Sequence, residues 1–265
     1  MATAKKVIPI TEAASAGKPK AAKGTAVAVK TVGSNVVSIQ EQLKAQAEAV
    51  SEKTAPAGGN MIRVSQDKQF LLPDGTKTAG PLELVIVDFS TQHRFYEGAF
   101  DPKNIAPPAC FAIGTNPLKM TPSKNAPVPQ ASDCQSCAMN MFGSDGNGKA
   151  CKNTRMLAVL PPDADEDTPL WLLSVSPTAT KGFDGFVTSV ARVFQTPPVG
   201  VVATVGFDPS QTYAKLVFSD PQPNASVGVH FGRQEEAKAM LTVEPDVSKY
   251  EAPKPVARGK VATRR

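Results

Sequence analysis

The sequence predicts a mainly β chain with one inserted helix, an α+β fold in which a small barrel carries a long cysteine-bearing loop between two basic arms. Three observations lead there. Short runs rich in Val, Ile, Leu and Phe recur between residues 60 and 220, separated by Pro, Gly and Asp turns. One stretch of the body, Lys181 to Phe194, repeats apolar residues at clear helical spacing. All four cysteines, Cys110, Cys134, Cys137 and Cys151, fall in one segment poor in both patterns.

Charge divides the 265 residues into three parts. Residues 1–59 carry eight Lys and four Glu, and residues 246–265 carry six Lys or Arg and two acids. The middle, 60–245, has 15 basic and 18 acidic residues, so an acidic body lies between basic ends. Residues 1–35 hold no aromatic residue and too little apolar surface to offset their ordering entropy, which predicts a disordered arm. Ser38-Ile-Gln-Glu41 has the capping-box spacing, and Gln40 to Val50 favours a short helix. Ala55-Pro-Ala-Gly-Gly59 reads as the linker to the body.

Within the body, Met61 to Val64 and Gln69 to Leu72 are expected as short strands, with a turn at Pro73-Asp-Gly75. Pro81 to Phe89 is the strongest strand: Leu82, Leu84 and Ile86 take one face, Val85 and Val87 the other. Two apolar faces mark a strand covered on both sides. His93-Arg-Phe-Tyr96 follows, and Arg94 with Tyr96 offers the cation and aromatic that stack on bases, unless the aromatics serve the core. Asp101 to Pro129 reads as irregular. Met156 to Leu160 and Pro169 to Ser176 are strands on either side of the acidic turn Pro161 to Asp167, with Trp171 placed in the core. In the helix Lys181 to Phe194, Phe183, Phe186, Val187, Val190 and Phe194 form one stripe that should pack on the sheet, and Pro197-Pro198 ends it. Val199 to Phe207 and Gln211 to Ser219 read as a hairpin whose second arm presents Tyr213 and Lys215 on its open face. Gln234 to Leu241 suits a short helix, and the chain from Asp246 onward suits a second disordered basic tail. Five or more short strands with one helix and an inserted loop suggest an elaborated OB-fold-like barrel, an architecture that binds single-stranded nucleic acid in a basic groove lined with aromatics.

The loop from 107 to 155 carries the chemistry. Cys134-Gln-Ser-Cys137 is a C-x-x-C knuckle, whose two-residue spacing lets both sulfurs face one point. Gly143, Gly146 and Gly148 permit the turns that return Cys151 to that point, and Cys110 completes a four-sulfur set suited to structural zinc, with His93 as the substitute donor. Redox thiols and disulfides are the alternatives. A redox pair normally opens a helix, which the Pro, Ser, Asn and Gly here disfavour, and residues 1–20 lack the apolar stretch of a secretory signal. Lys119, Lys124, Lys149, Lys152 and Arg155 stand against only Asp133 and Asp145 in 110–160, which suits a polyanion partner, the alternative being a solvated loop. Phe142 either stacks on bases or packs under the loop. No apolar run approaches a membrane span, so a soluble protein without membrane partners is expected. With no H-E-x-x-H, no P-loop and two His in all, an enzyme is not expected.

Pro107-Pro-Ala-Cys110, Cys134-x-x-Cys137, Asn140-Met-Phe-Gly-Ser144 and Gly148-Lys-Ala-Cys-Lys152 with Arg155 resemble the zinc-bearing single-stranded DNA-binding proteins of tailed phages, of the helix-destabilising type found in T-even phages. The resemblance covers about residues 60–220 and is strongest in 107–160. It implies a non-catalytic protein in the cytoplasm of a bacterial host, serving phage DNA replication or recombination, with those phage proteins as partners and scope for self-association. The T-even protein binds zinc through three cysteines and a His, and its relatives end in an acidic recruiting tail. This chain has four cysteines and ends Ala262-Thr-Arg-Arg265. The alternative is a zinc-bearing interaction or transcription module that binds duplex DNA or a polymerase. It would need a helix exposing groove-reading side chains, and the one clear helix is mainly apolar.

Overall fold

The computed structural model describes residues 59–98 and 105–251, together with Gln46. The expected disordered arm at 1–35, the linker up to residue 58 and the tail beyond Glu251 lie outside the described residues. So does the expected helix at 40–50 except for Gln46, which is helical.

Nine strands build one curled mixed sheet: β1 (Met61–Val64), β2 (Phe70–Leu71), β3 (Lys77–Thr78), β4 (Leu82–Phe95), β5 (Cys110–Gly114), β6 (Lys152–Leu160), β7 (Trp171–Val175), β8 (Val201–Phe207) and β9 (Leu216–Pro223). Their order is β3-β2-β1-β7-β6-β4-β8-β9, with β5 paired to β4. Only β1 and β7 run parallel; every other pair is antiparallel. The curl shows in contacts between distant strands. Phe70 of β2 stacks on Phe207 of β8 with ring centroids 4.4 Å apart. Beside them, Lys68 Nζ donates to the carbonyls of Asp208 and Gln211. The sheet is therefore half-barrel in form and mainly β with few helices, as the composition of short strands suggested.

Strand β4 is the spine. Along one edge it pairs with β6 from Val85 to Arg94. Its other edge is shared: β8 takes Leu82 to Val85, and β5 takes Thr91 to Phe95. The register shifts between Ile86 and Asp88, so Val87 is an extra residue. That bulge resets the two-residue alternation. Phe89 thereby returns to the core face of Leu84 and Ile86.

Helix α1 (Thr180–Val193) lies on this face and buries Phe183, Phe186 and Val190, the expected stripe. Phe183 meets Phe89 and Phe218 edge-on at 5.1 and 5.0 Å. Trp171 is partly buried against the same core. On the opposite face Val87, Met156, Ala158 and Leu160 pack under Ala237 and Leu241 of α3 (Gln234–Leu241). A short helix α2 (Val227–Gly232) precedes it and was not expected. Its buried His230 is tied between Asn224 and the carbonyl of Ala164. Among the described residues no helix is long and apolar enough to cross a membrane.

Several boundaries differ from expectation. Cys110–Gly114, read as irregular, is strand β5, because Thr91 to Phe95 present an otherwise open edge of β4. Strand β6 starts at Lys152 rather than Met156, extended by the same neighbour. Strand β9 starts at Leu216, so Tyr213 and Lys215 belong to the turn. That turn is closed by Asp208 N–H donating to the Lys215 carbonyl and by a 3.0 Å pair between Lys215 Nζ and Asp208 Oδ2. Asp246 to Tyr250, expected in the tail, follows Glu244 along the body. Glu244 accepts from Ser123 and Asn125, and Tyr250 donates to Glu97.

Candidate functional site

The segment between β5 and β6 is built on the far end of β4. Cys110 opens β5 opposite Phe95, while Cys151 precedes Lys152, which is opposite Arg94 on the other edge. Two cysteines 41 positions apart thus come together from the two edges of one strand. Cys134 N–H donates to the Met120 carbonyl, and Met120 is itself buried against Ala112 and Cys134. A single 3-10 turn, Ala138–Asn140, follows Cys137, and Asn140 N–H closes back on the Cys137 carbonyl. Gly143, at φ +91°, makes the tight turn that the loop then needs. Cys151 N–H finally donates to the Met139 carbonyl at 2.8 Å, which fixes the fourth cysteine to the knuckle.

All four cysteines are buried, none is in a disulfide, and all line one cavity of about 20 Å³ with His93, Phe111, Pro122 and Gln130. That volume suits one water-sized particle. Burial, then repulsion by Cys110 and Cys137, pushes the Cys134 thiol up to about 11. Burial, then the other three cysteines, pushes Cys151 up to about 12, with Lys149 opposing. Burial also raises Cys110. His93 is pushed down to about 4, first by burial and then by Arg155 and Lys149. It is neutral at pH 7, and its Nδ1 is buried with no hydrogen-bond partner in the protein.

Four sulfurs around an ion-sized void match zinc in kind. They do not match it in arrangement: among the described residues no group of three or more His, Cys, Asp or Glu side chains is placed to hold a metal ion as it stands. Zinc–thiolate bonds of about 2.3 Å would require the sulfurs to close in on the void.

Beside this cavity opens a groove of about 470 Å³. His93 and Asn140 line both. Three exposed apolar side chains line the groove, Leu118, Met141 and Phe142, the last with 78% of its surface open. Lys149, Asn153 and Arg155 line it as well. Asn153 Oδ1 is buried there without a partner.

The structure brings together some of the predicted contact residues and separates others. Phe142 stands out from the loop instead of packing under it, and Lys149 shares its groove. Lys119 and Lys124 are exposed on the same loop segment. Lys152 is exposed but paired with Asp145 at 2.9 Å. Arg155 is not a free cation: it is 7% exposed and forks onto Asp184 of α1 through Nε (3.1 Å) and Nη2 (2.8 Å). Arg94 is half-buried, donates to Gln92 Oε1 at 2.7 Å and leaves Nε without a partner. Tyr96 is exposed just past the end of β4. Tyr213 and Lys215 lie beyond the start of β4, some 40 Å along that strand at about 3.3 Å per residue, and line neither cavity. Sequence reasoning did not single out Leu118 or Asn153 and read Asn140 and Met141 only as part of a motif, because lining the groove depends on how the loop and β6 come together.

No protein-family model, curated protein or solved structure matches this chain.

Proposed function

We propose that this protein is a non-catalytic single-stranded DNA-binding protein of a phage, supporting replication or recombination, with a structural zinc in the thiol cavity. One observation carries the binding role. One groove is lined by an exposed aromatic, Phe142, and the apolar Met141 and Leu118 together with Lys149 and the amides of Asn140 and Asn153. An unpaired base needs a ring to stack on and polar groups at its edge, and its phosphate needs a cation. A duplex hides its base faces and would leave Phe142 unused. Cys110, Cys134, Cys137 and Cys151 would hold the zinc, with His93 next to them, and the ion would supply a cross-link between the knuckle and both neighbours of β4. The phage setting follows from the resemblance of the loop motifs.

Labelled oligothymidylate, titrated by fluorescence anisotropy with matched duplex as competitor, tests this reading. Base stacking contributes about 1–3 kcal/mol per base, so Phe142→Ala should weaken binding about 5- to 150-fold. Lys119, Lys124, Lys149 and Lys152 together should give a log–log salt slope near −3, at about −0.7 per phosphate contact. Equal affinity for duplex and single strand, with no effect of Phe142→Ala, would sink the proposal in favour of a duplex- or polymerase-binding module.

A further inference from the structure

Two residues that line the groove each carry a buried polar atom without a partner, and they sit opposite each other on neighbouring strands. His93 of β4 is paired in register with Asn153 of β6, and both line the groove. Residues directly opposite in an antiparallel pair project from the same face of the sheet. His93 is only 4% exposed, and its Nδ1 has no hydrogen-bond partner in the protein; neither has Asn153 Oδ1.

A chain of hydrogen bonds fixes which atom of Asn153 is left over. Asn140 Nδ2 donates to the Cys134 carbonyl at 2.5 Å, which leaves Asn140 Oδ1 as the acceptor. That oxygen accepts from Lys149 Nζ at 3.3 Å and from Asn153 Nδ2 at 2.8 Å. A carbonyl can only accept and an ammonium can only donate, so neither amide can be turned over. The unmet atom of Asn153 is therefore its oxygen, and it needs a donor. Buried polar atoms of this kind are ordinarily satisfied, because leaving one unmet is costly.

We propose that His93 and Asn153 form a base-edge subsite in the groove that selects bases carrying an exocyclic amino group; this rests on the single-strand reading above and adds a base preference to it. Asn153 Oδ1 accepts from the amino group. His93 Nδ1, in the N–H tautomer, donates to the neighbouring ring nitrogen. Cytosine offers this pair at N4 and N3, and adenine at N6 and N1. The Asn153 oxygen is recessed, so the donor has to project from the base, as an amino group does. Uracil and thymine hold their N–H between two projecting carbonyl oxygens, which meet the Asn153 oxygen first and repel it.

The full chain, kept reduced at pH 8, is titrated by fluorescence anisotropy with labelled oligodeoxycytidylate and oligodeoxyuridylate of equal length. The two bases differ at position 4, amino against carbonyl. One neutral hydrogen bond should favour the cytidylate about 2- to 12-fold. In Asn153→Ala, with circular dichroism following the fold, the ratio should fall to near one. Should that variant misfold, the unaltered protein still gives the answer: an oligonucleotide of N4,N4-dimethyldeoxycytidine has lost both amino hydrogens and should bind no better than the uridylate.

A ratio near one in the unaltered protein, a ratio that Asn153→Ala leaves unchanged, or tight binding of the dimethylated strand overturns the subsite. If Phe142→Ala still weakens both oligonucleotides, the single-strand reading survives that result. Absence of binding to either oligonucleotide removes the single-strand reading, and the subsite falls with it.

Discussion

Asp184→Asn separates the phosphate-contact role that the sequence suggests for Arg155 from the clamp that the fold gives it. As a loop cation, Arg155 would contact phosphate. In the fold its guanidinium is buried on β6 and held by two charge-assisted bonds to Asp184 of α1, at 3.1 and 2.8 Å. Hydrogen bonds to charged groups contribute about 1.5–3 kcal/mol. Here the Asp184 side chain is 47% exposed, so solvent screens the pair and lowers that figure. Asparagine keeps the shape and one acceptor oxygen. The expected cost is about 1–2 kcal/mol, which for a body of this size lowers Tm by about 2–8 °C. The second expectation has the opposite sign. Arg155 lines the groove, and once released it can reach a phosphate, so single-strand affinity should rise and the salt slope steepen by about 0.7. Differential scanning calorimetry and anisotropy titration of the same preparation read both. An unchanged Tm would refute the clamp. A fall in both Tm and affinity would show that Asp184 presents Arg155 to the ligand instead of withholding it.

Cys110→Ser should abolish stoichiometric zinc binding measured by elemental analysis; unchanged zinc content would remove Cys110 from the donor set and point to His93, which lines the same cavity. Phe183 is fully buried between Phe89 and Phe218, and Phe183→Ala should cost about 3–5 kcal/mol in chemical denaturation; a loss under about 1 kcal/mol would refute its central place in the core. Hydrogen bonds from Ser210, then Lys215, hold the Asp208 carboxyl down at about 2. A carboxyl lowered in the fold contributes stability that is present above its ordinary value near 3.8 and is lost as pH falls through about 2. The carboxyl carbon of Asp208 should therefore titrate near 2 by NMR, and Ser210→Ala should move the midpoint upward; a native midpoint near 3.8 would refute the turn's hydrogen bonding.

Legibility followed the range of the interactions. Strand β4 and helix α1 were readable because their periodicity arises within a dozen residues: Leu84 and Ile86 alternate with Val85 and Val87, and Phe183, Phe186 and Val190 repeat at helical spacing. Strand β5 was not readable, since Cys110–Gly114 lies in a Pro-rich stretch and becomes a strand only by pairing with the free edge of β4. The nearness of Cys134 and Cys137 lies in the local C-x-x-C spacing. For Cys110 and Cys151 it depends on β4 passing between them. The exposure of Phe142 was left open by the sequence and decided by the turn at Gly143.

By itself the sequence determined the division into basic ends and an acidic body, the mainly β character of that body, the helix stripe and the grouping of cysteines with lysines in one loop. These are properties of composition and short-range period, which survive without knowledge of the fold. Only the tertiary structure decided which cations are free. Arg155 and Asp184 are 29 positions apart, and Lys215 and Asp208 meet across a turn, so these pairings became visible once β6 met α1 and β8 met β9. The tertiary structure also placed Asn140 between cavity and groove, because its three partners come from the knuckle, the loop end and β6. Long-range pairing depends on chain reversals whose closure no local pattern encodes.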